Sequence, residues 1–124
     1  MAPDATGPNP SGLRLVVADN DAAVIKLLTF DLQLEGHEIL ATAEDGESAI
    51  QACADWQPDV LIVDLRLGKG PNGIDVAGRV RRDGLRVILH TNYVSAETVK
   101  AAARAGAVVV EKGSLRALRR ALRG

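Results

Sequence analysis

Asp64 closes the stretch Pro-Asp-Val-Leu-Ile-Val-Asp (58–64), in which four consecutive apolar residues end abruptly in a carboxylate. A strand that is apolar at successive positions must be covered on both faces, which is the habit of parallel sheets flanked by helices. Ligands of open α/β sheets bind beyond the carboxyl ends of the strands, so an acid standing there is placed for chemistry. A second apolar run, Leu13–Ala18, also ends in acid, with Asp19, Asn20 and Asp21 in succession. Two more runs end in groups that hydrogen-bond or carry charge: Arg86–Leu89 leads through His90 to Thr91 and Asn92, and Ala107–Val110 leads through Glu111 to Lys112. Singly, each has an ordinary explanation: Asp64 and Thr91 can cap their loops, Asp19 can be a turn residue, and Lys112 can be a solvated charge.

The elements between these runs decide whether the polar groups meet. Asp21 or Asn20 can N-cap a helix to about Leu34, with Val24, Ile25, Leu27, Leu28 and Leu32 at helical spacing and Gly36 ending it. A second strand follows over His37–Ala43, with Ile39 and Ala41 facing one way and Leu40 the other. The next helix, Gly46 to Gln57, carries Ala49, Ile50, Cys53 and Ala54 inward and is broken by Pro58. Further helices are expected over Ile74–Arg82, Ser95–Ala105 and from Ser114 to Arg123, with Ser95 and Ser114 as caps. Strands alternating with helices in this way predict a doubly wound, flavodoxin-like α/β fold, with a five-stranded parallel sheet in the order 2-1-3-4-5 and helices on both faces. Its switch point lies between strands 1 and 3, where Asp19, Asn20 and Asp64 would meet, joined by Thr91 and Lys112.

Composition narrows the function. The 124 residues make one domain, 13–124, preceded by a Pro- and Gly-rich leader over 1–12 that is expected to be disordered. Fifteen basic against sixteen acidic residues produce no strong positive field, and single Trp, Tyr and Phe residues offer no stacking platform, so direct nucleic-acid binding is not expected. The lone Cys53 excludes an intramolecular disulfide, and no signal peptide or membrane-length apolar run is present, so a soluble, reduced, cytoplasmic setting is expected with no membrane partner.

Acid at the end of strand 1 (Asp19), Asp64 after Val-Leu-Ile-Val, Thr91 after strand 4, Ala-Gly-Ala (105–107) before strand 5 and Lys112 after it together resemble the receiver domain of two-component response regulators, from Leu13 to the C-terminus. The resemblance implies that Asp64 is a phosphoacceptor, with Thr91 and Lys112 contacting the phosphoryl oxygens. It implies a Mg²⁺ site made by Asp19, Asn20, Asp64 and the backbone carbonyl of Arg66. It further implies a histidine kinase or phosphotransfer protein as donor, a downstream effector protein, and a homodimer through helix 4, strand 5 and helix 5. The domain would signal by phosphorylation-dependent protein–protein contact and catalyse only its own phosphorylation and dephosphorylation. The alternatives are a pseudo-receiver that binds partners without phosphorylation, and a metal-dependent phosphohydrolase on the same fold.

Several residues depart from the family pattern. Asn20 stands where a second acid is usual, which lowers the ligand charge available to Mg²⁺. The loop from Asp64 to Gly73 is one residue longer than common, Leu67-Gly68 replaces Met-Pro, the position of the switch aromatic is Val109, and Lys112 precedes Gly113 instead of proline. Asn92 and Tyr93 after Thr91 imply slow phosphoryl turnover. Gly68-Lys69-Gly70 lacks the spacing of a phosphate loop, His37 and His90 have no ligand spacing, and Cys53 reads as packing. In the last helix Leu115, Leu118 and Leu122 form one stripe and Arg116, Arg119, Arg120 and Arg123 another, read as a solvated face or a partner surface.

Overall fold

A computed structural model describes residues 12–124, so the expected leader lies almost wholly outside the described residues. Strands β1 (Arg14–Ala18), β2 (Glu38–Ala43), β3 (Val60–Val63), β4 (Arg86–Thr91) and β5 (Ala107–Glu111) alternate with helices α1 (Ala22–Leu34), α2 (Gly46–Trp56), α3 (Gly73–Val80), α4 (Ala96–Arg104) and α5 (Leu115–Arg123). The strands form one sheet in the order β2-β1-β3-β4-β5, all pairs parallel, as expected.

Because side chains alternate along a strand, each central strand feeds two cores. Val16, Ala18, Leu61, Val63, Val87 and Leu89 pack with Ala49 and Cys53 of α2, Val76 and Ala77 of α3 and Ala102 of α4. Leu15, Val17, Val60, Ile62 and Ile88 pack on the opposite face with Leu28 and Leu32 of α1 and Leu118 and Leu122 of α5. The aliphatic composition of the sequence is thus spent on two thin layers, with the sheet buried between them.

Each helix starts on a side chain that accepts from its first turn: Asp21 from Ala23, Asp45 from Ser48, Asn72 from Asp75, Ser95 from Thr98 and Ser114 from Ala117. These starts lie at the carboxyl ends of the strands, so capping also fixes the loops that carry the polar groups.

Some expectations are corrected. Leu27 is 54% exposed and Ala54 is exposed, while Asp31 takes a buried place on α1. Leu27 and Leu28 are neighbours 100° apart on a helix, and α1 turns Leu28, Leu32 and Asp31 inward. In β2 the register with β1 slips between Leu15 and Val16, so Ala41 joins Leu40 on one face and Ile39 stands alone on the other. Helix α3 ends at Val80, short of Arg82, and β4 continues through His90 to Thr91 because Thr91 pairs with Glu111 of β5.

Candidate functional site

Asp19 and Asp64 are held by the sheet that ends beneath them. The Asp19 N–H donates to the Ala43 carbonyl (3.0 Å) and the Asp64 N–H to the Ala18 carbonyl (3.0 Å), so both side chains stand one residue past their strands. On the far side the Lys112 N–H donates to the Thr91 carbonyl (3.0 Å), which carries the β4–β5 ladder onward and aims the lysine back across the sheet. Its ammonium lies 2.8 Å from Asp19 Oδ2 and 2.8 Å from Asp64 Oδ2. Asp19, Asp64 and Thr91 are all buried.

Close backbone approach shapes the loop after Asp64. The Gly73 N–H donates to the Leu65 carbonyl (2.8 Å), and a Cβ at Gly73 would stand 2.2 Å from the Asp64 carbonyl oxygen and 2.7 Å from Leu89 Cδ1. Only glycine lets α3 begin this near the acid. Leu65, Arg66, Leu67, Gly68, Gly70 and Asn72 then line, with Asn20, a cavity of about 490 Å³.

The electrostatics follow from two carboxylates sharing one ammonium. Burial alone would lower the Lys112 pKa, but its hydrogen bonds to Asp19 and Asp64 prevail and carry it above the ordinary value. His90, buried on β4, is pushed below its ordinary value first by burial and then by the Lys112 charge, with Asp19 and Asp64 opposing. Its Nδ1 has no partner among the described residues. Burial pushes the Cys53 thiol up to about 11, which fits a packing residue.

The donors suit a hard divalent cation. Asp64 Oδ1 is buried without a hydrogen-bond partner among the described residues, an anionic acceptor that a cation or an incoming group would satisfy. Asp19 Oδ1 accepts from the Asp21 N–H (2.9 Å), which orients the carboxylate. Two carboxylates, the Asn20 amide and the Arg66 carbonyl are all oxygen donors of the kind Mg²⁺ takes. The charge is low, since no group of three His, Cys, Asp or Glu side chains able to hold a metal occurs among the described residues. Asn20 stands in the open, and Asp21 is occupied in capping α1.

Asp19, Asp64 and Lys112 are therefore in direct contact, Thr91 ends the adjacent strand, and Asn20 and Arg66 share the neighbouring cavity. Thr91 Oγ1 accepts from the Tyr93 N–H (3.1 Å), which leaves the hydroxyl proton free to donate. Beyond the backbone carbonyl expected of it, Arg66 presents a guanidinium carbon 4.0 Å from the centre of the Tyr93 ring. The available signal was that Arg66 follows Asp64, and Tyr93 follows Thr91, by the same two positions. Arg119 is also corrected: it faces α1 and pairs with Asp31 and Glu35 instead of joining a wholly solvated stripe.

Comparison with known proteins identifies the family and the fold. The response regulator receiver domain model matches residues 15–122. The DNA-binding response regulator MtrA of Mycobacterium tuberculosis is 38% identical over 79 residues, covering 63% of this chain and 34% of that protein. The transcriptional regulatory protein PdtaR of the same organism is 28% identical over 96 residues, 77% of this chain and 46% of that one. The chain thus spans between a third and a half of the length of these relatives. Among solved structures, the receiver domain of the response regulator NarL from Mycobacterium tuberculosis superposes with a TM-score of 0.82 at 27% identity, covering 93% of this chain and 99% of that one. The response regulator TrrA of Thermotoga maritima, solved with Mg²⁺ and BeF, gives 0.77 at 31% identity over 88% and 95% of the two chains. No described helix is long and apolar enough to cross a membrane. With the receiver domain model matching residues 15–122 and the sheet in the order β2-β1-β3-β4-β5, the chain belongs to the response regulator receiver domain family.

Proposed function

We propose that this receiver accepts a phosphoryl group on Asp64 from a phosphohistidine of a kinase or phosphotransfer protein, in a Mg²⁺-dependent reaction in the cytoplasm, and signals by protein–protein contact. The observation that carries this reading is the Lys112 ammonium 2.8 Å from both Asp19 and Asp64. An Asp64 carboxylate oxygen forms a bond to phosphorus while the bond from phosphorus to the donor imidazole nitrogen breaks, and that nitrogen leaves with the electron pair. The repulsion between carboxylate and phosphoryl oxygens is the main obstacle, and fixed cationic groups lower it. Lys112 is pre-positioned to move one hydrogen bond from Asp64 to a phosphoryl oxygen, and the Thr91 hydroxyl donates to another. Asp19, Asn20, Asp64 and the Arg66 carbonyl would hold Mg²⁺, which when bound neutralises charge on the phosphoryl oxygens.

A gain of the Thr91 contact on phosphorylation biases the β4–α4 end toward a second arrangement that an effector reads. Arg116, Arg120 and Arg123 of α5, with Glu97 and Glu111, provide opposite charges for a homodimer through α4, β5 and α5. Asn20 in place of an acid favours the alternative of a pseudo-receiver. Transfer from an autophosphorylated histidine kinase separates the two. Label is expected on the wild type and lost in Asp64→Asn and strongly reduced in Lys112→Ala; equal labelling of Asp64→Asn contradicts the reading.

A further inference from the structure

A recess of about 280 Å³ opens between α1 and the start of α5, with apolar walls given by Val24, Leu27, Leu28 and Leu115. His90 lines it as well. Two residues before it on β4, Ile88 packs in the core under α1 and α5, so strand alternation turns the imidazole to the same face. The residue is 5% exposed, and its Nδ1 has no hydrogen-bond partner among the described residues. A buried polar atom left unpaired is costly, so a ligand that supplies its partner gains more there than at the surface. Ser114 lines the recess as the N-cap of α5, whose first turn holds no acidic residue. Its Oγ accepts from the Ala117 N–H (3.0 Å), which leaves the hydroxyl proton to donate. The positive end of the α5 dipole thus meets the recess. Gly113 has a φ of +100°, and a Cβ there would meet nothing within 4 Å, so the space beside it is open. Glycine at this position also keeps an N–H that a proline would lack. Lys112 belongs to the lining, whereas Asp19 and Asp64, which share its ammonium, do not.

We infer that this recess binds a small monocarboxylic acid with an apolar body, its carboxylate held by the start of α5 and the His90 ring. The two halves of such a ligand answer the two halves of the lining. A carboxylate accepts from N–H groups at a helix start, from the Ser114 hydroxyl and from the one N–H that a neutral imidazole carries. The body lies against Val24, Leu27, Leu28 and Leu115, where it removes apolar surface from water. Pockets for drug-sized ligands begin at about 300 Å³, so the occupant is smaller than these. A neutral apolar compound would leave the polar end unanswered, and an acid without a body would leave the apolar walls wet. The site uses neither oxygen of Asp64, so it stands whether or not that residue accepts a phosphoryl group.

The test is an NMR titration of the whole, unphosphorylated chain with benzoate and with hexanoate, read at the amides and at the imidazole nitrogens. Acetate, which lacks the body, and benzyl alcohol, which lacks the charge, are titrated alongside. At least one of the two acids should give saturable shifts centred on Val24, Leu28, His90, Gly113 and Leu115, with both controls binding roughly tenfold more weakly or not at all. His90→Leu should weaken the acid roughly tenfold, and because it replaces an unpaired buried polar group by an apolar one, its fold should hold. Val24→Phe fills the recess from an α1 position that is only partly buried and should abolish binding. The spectrum of each variant away from the recess reports whether it is folded. Absence of saturable shifts with either acid in the folded wild type overturns the site. Equal binding of benzyl alcohol reduces it to an apolar groove and also overturns it. Shifts confined to Arg116, Arg120 and Arg123 and indifferent to both variants would mean surface ion pairing alone, and overturn it too.

Discussion

At the residue scale, the site is defined by charge sharing. One ammonium satisfies an oxygen of Asp19 and an oxygen of Asp64, and the second Asp64 oxygen is left bare in a buried setting. An uncompensated anionic oxygen is costly where water is scarce, so the arrangement is primed for a cation or a phosphoryl group. Asn20 withholds one unit of negative charge from the same place, and affinity for divalent cations rises with ligand charge. Asn20→Asp should therefore bind Mg²⁺ more tightly than the wild type in a titration followed by NMR shifts of the β1 and β3 ends; equal affinities would show that the amide costs nothing. His90 provides a pH prediction. Burial, with the Lys112 charge, depresses its folded pKa, so as pH falls through about 6.5 the unfolded chain takes up a proton that the folded chain refuses. Stability present above that pH is lost below it, and His37, depressed mainly by burial, adds in the same direction. His90→Leu should lose less of its urea midpoint than the wild type between about pH 7.5 and about pH 5.5. Equal losses would mean that His90 is not the group involved.

At the element scale, the two ends of the sheet are managed by different chemistry. Helix starts at the carboxyl end are capped by Asp, Asn and Ser. The ends of α2, α4 and α5 at the opposite edge are met by arginines from other elements. Arg14 donates to the Trp56 and Gln57 carbonyls after α2, Arg81 to Arg104 at the end of α4, and Arg86 to Ala121 and Leu122 of α5. A cation at a helix C-terminus satisfies orphan carbonyls and opposes the helix dipole. Three of the chain's eleven arginines are thereby given a structural use that the balanced net charge does not reveal. The short α5 is further tied to α1 by Arg119, whose Nε donates to Asp31 Oδ2 at 3.2 Å and whose Nη2 reaches Asp31 Oδ1. Arg119→Leu strands a mostly buried carboxylate and should lower the urea midpoint of unfolding. Asp31→Leu combined with Arg119→Leu should cost less than Arg119→Leu alone, and a larger cost for the pair would contradict this account of the contact.

At the scale of the whole molecule, the strand order and the meeting of Asp19, Asp64 and Lys112 were legible because each polar group follows directly on an apolar run. A parallel sheet brings such run ends to one edge whatever the details of packing. What the sequence hid depends on rotation and on distance along the chain. Whether Leu27 or Asp31 faces inward turns on where a wide apolar stripe is centred, and the Asp31–Arg119 pair joins residues 88 apart in helices that no local pattern links. The slip in β2 arises from its pairing with β1, and the Arg66–Tyr93 stack from loop geometry that spacing only hints at. The proposed phosphoryl transfer to Asp64 belongs to this assembled edge, where Lys112 contacts both Asp64 and Asp19 and Thr91 ends the adjacent strand. Intact mass after incubation with a small phosphodonor and Mg²⁺, with Asp64→Ala alongside, tests it most directly. A gain of one phosphoryl group in the wild type that is absent from Asp64→Ala is the predicted result, and it should fall when the metal is removed by a chelator. An equal gain in Asp64→Ala, or no gain in a folded wild type even with a competent kinase supplied, would contradict the account.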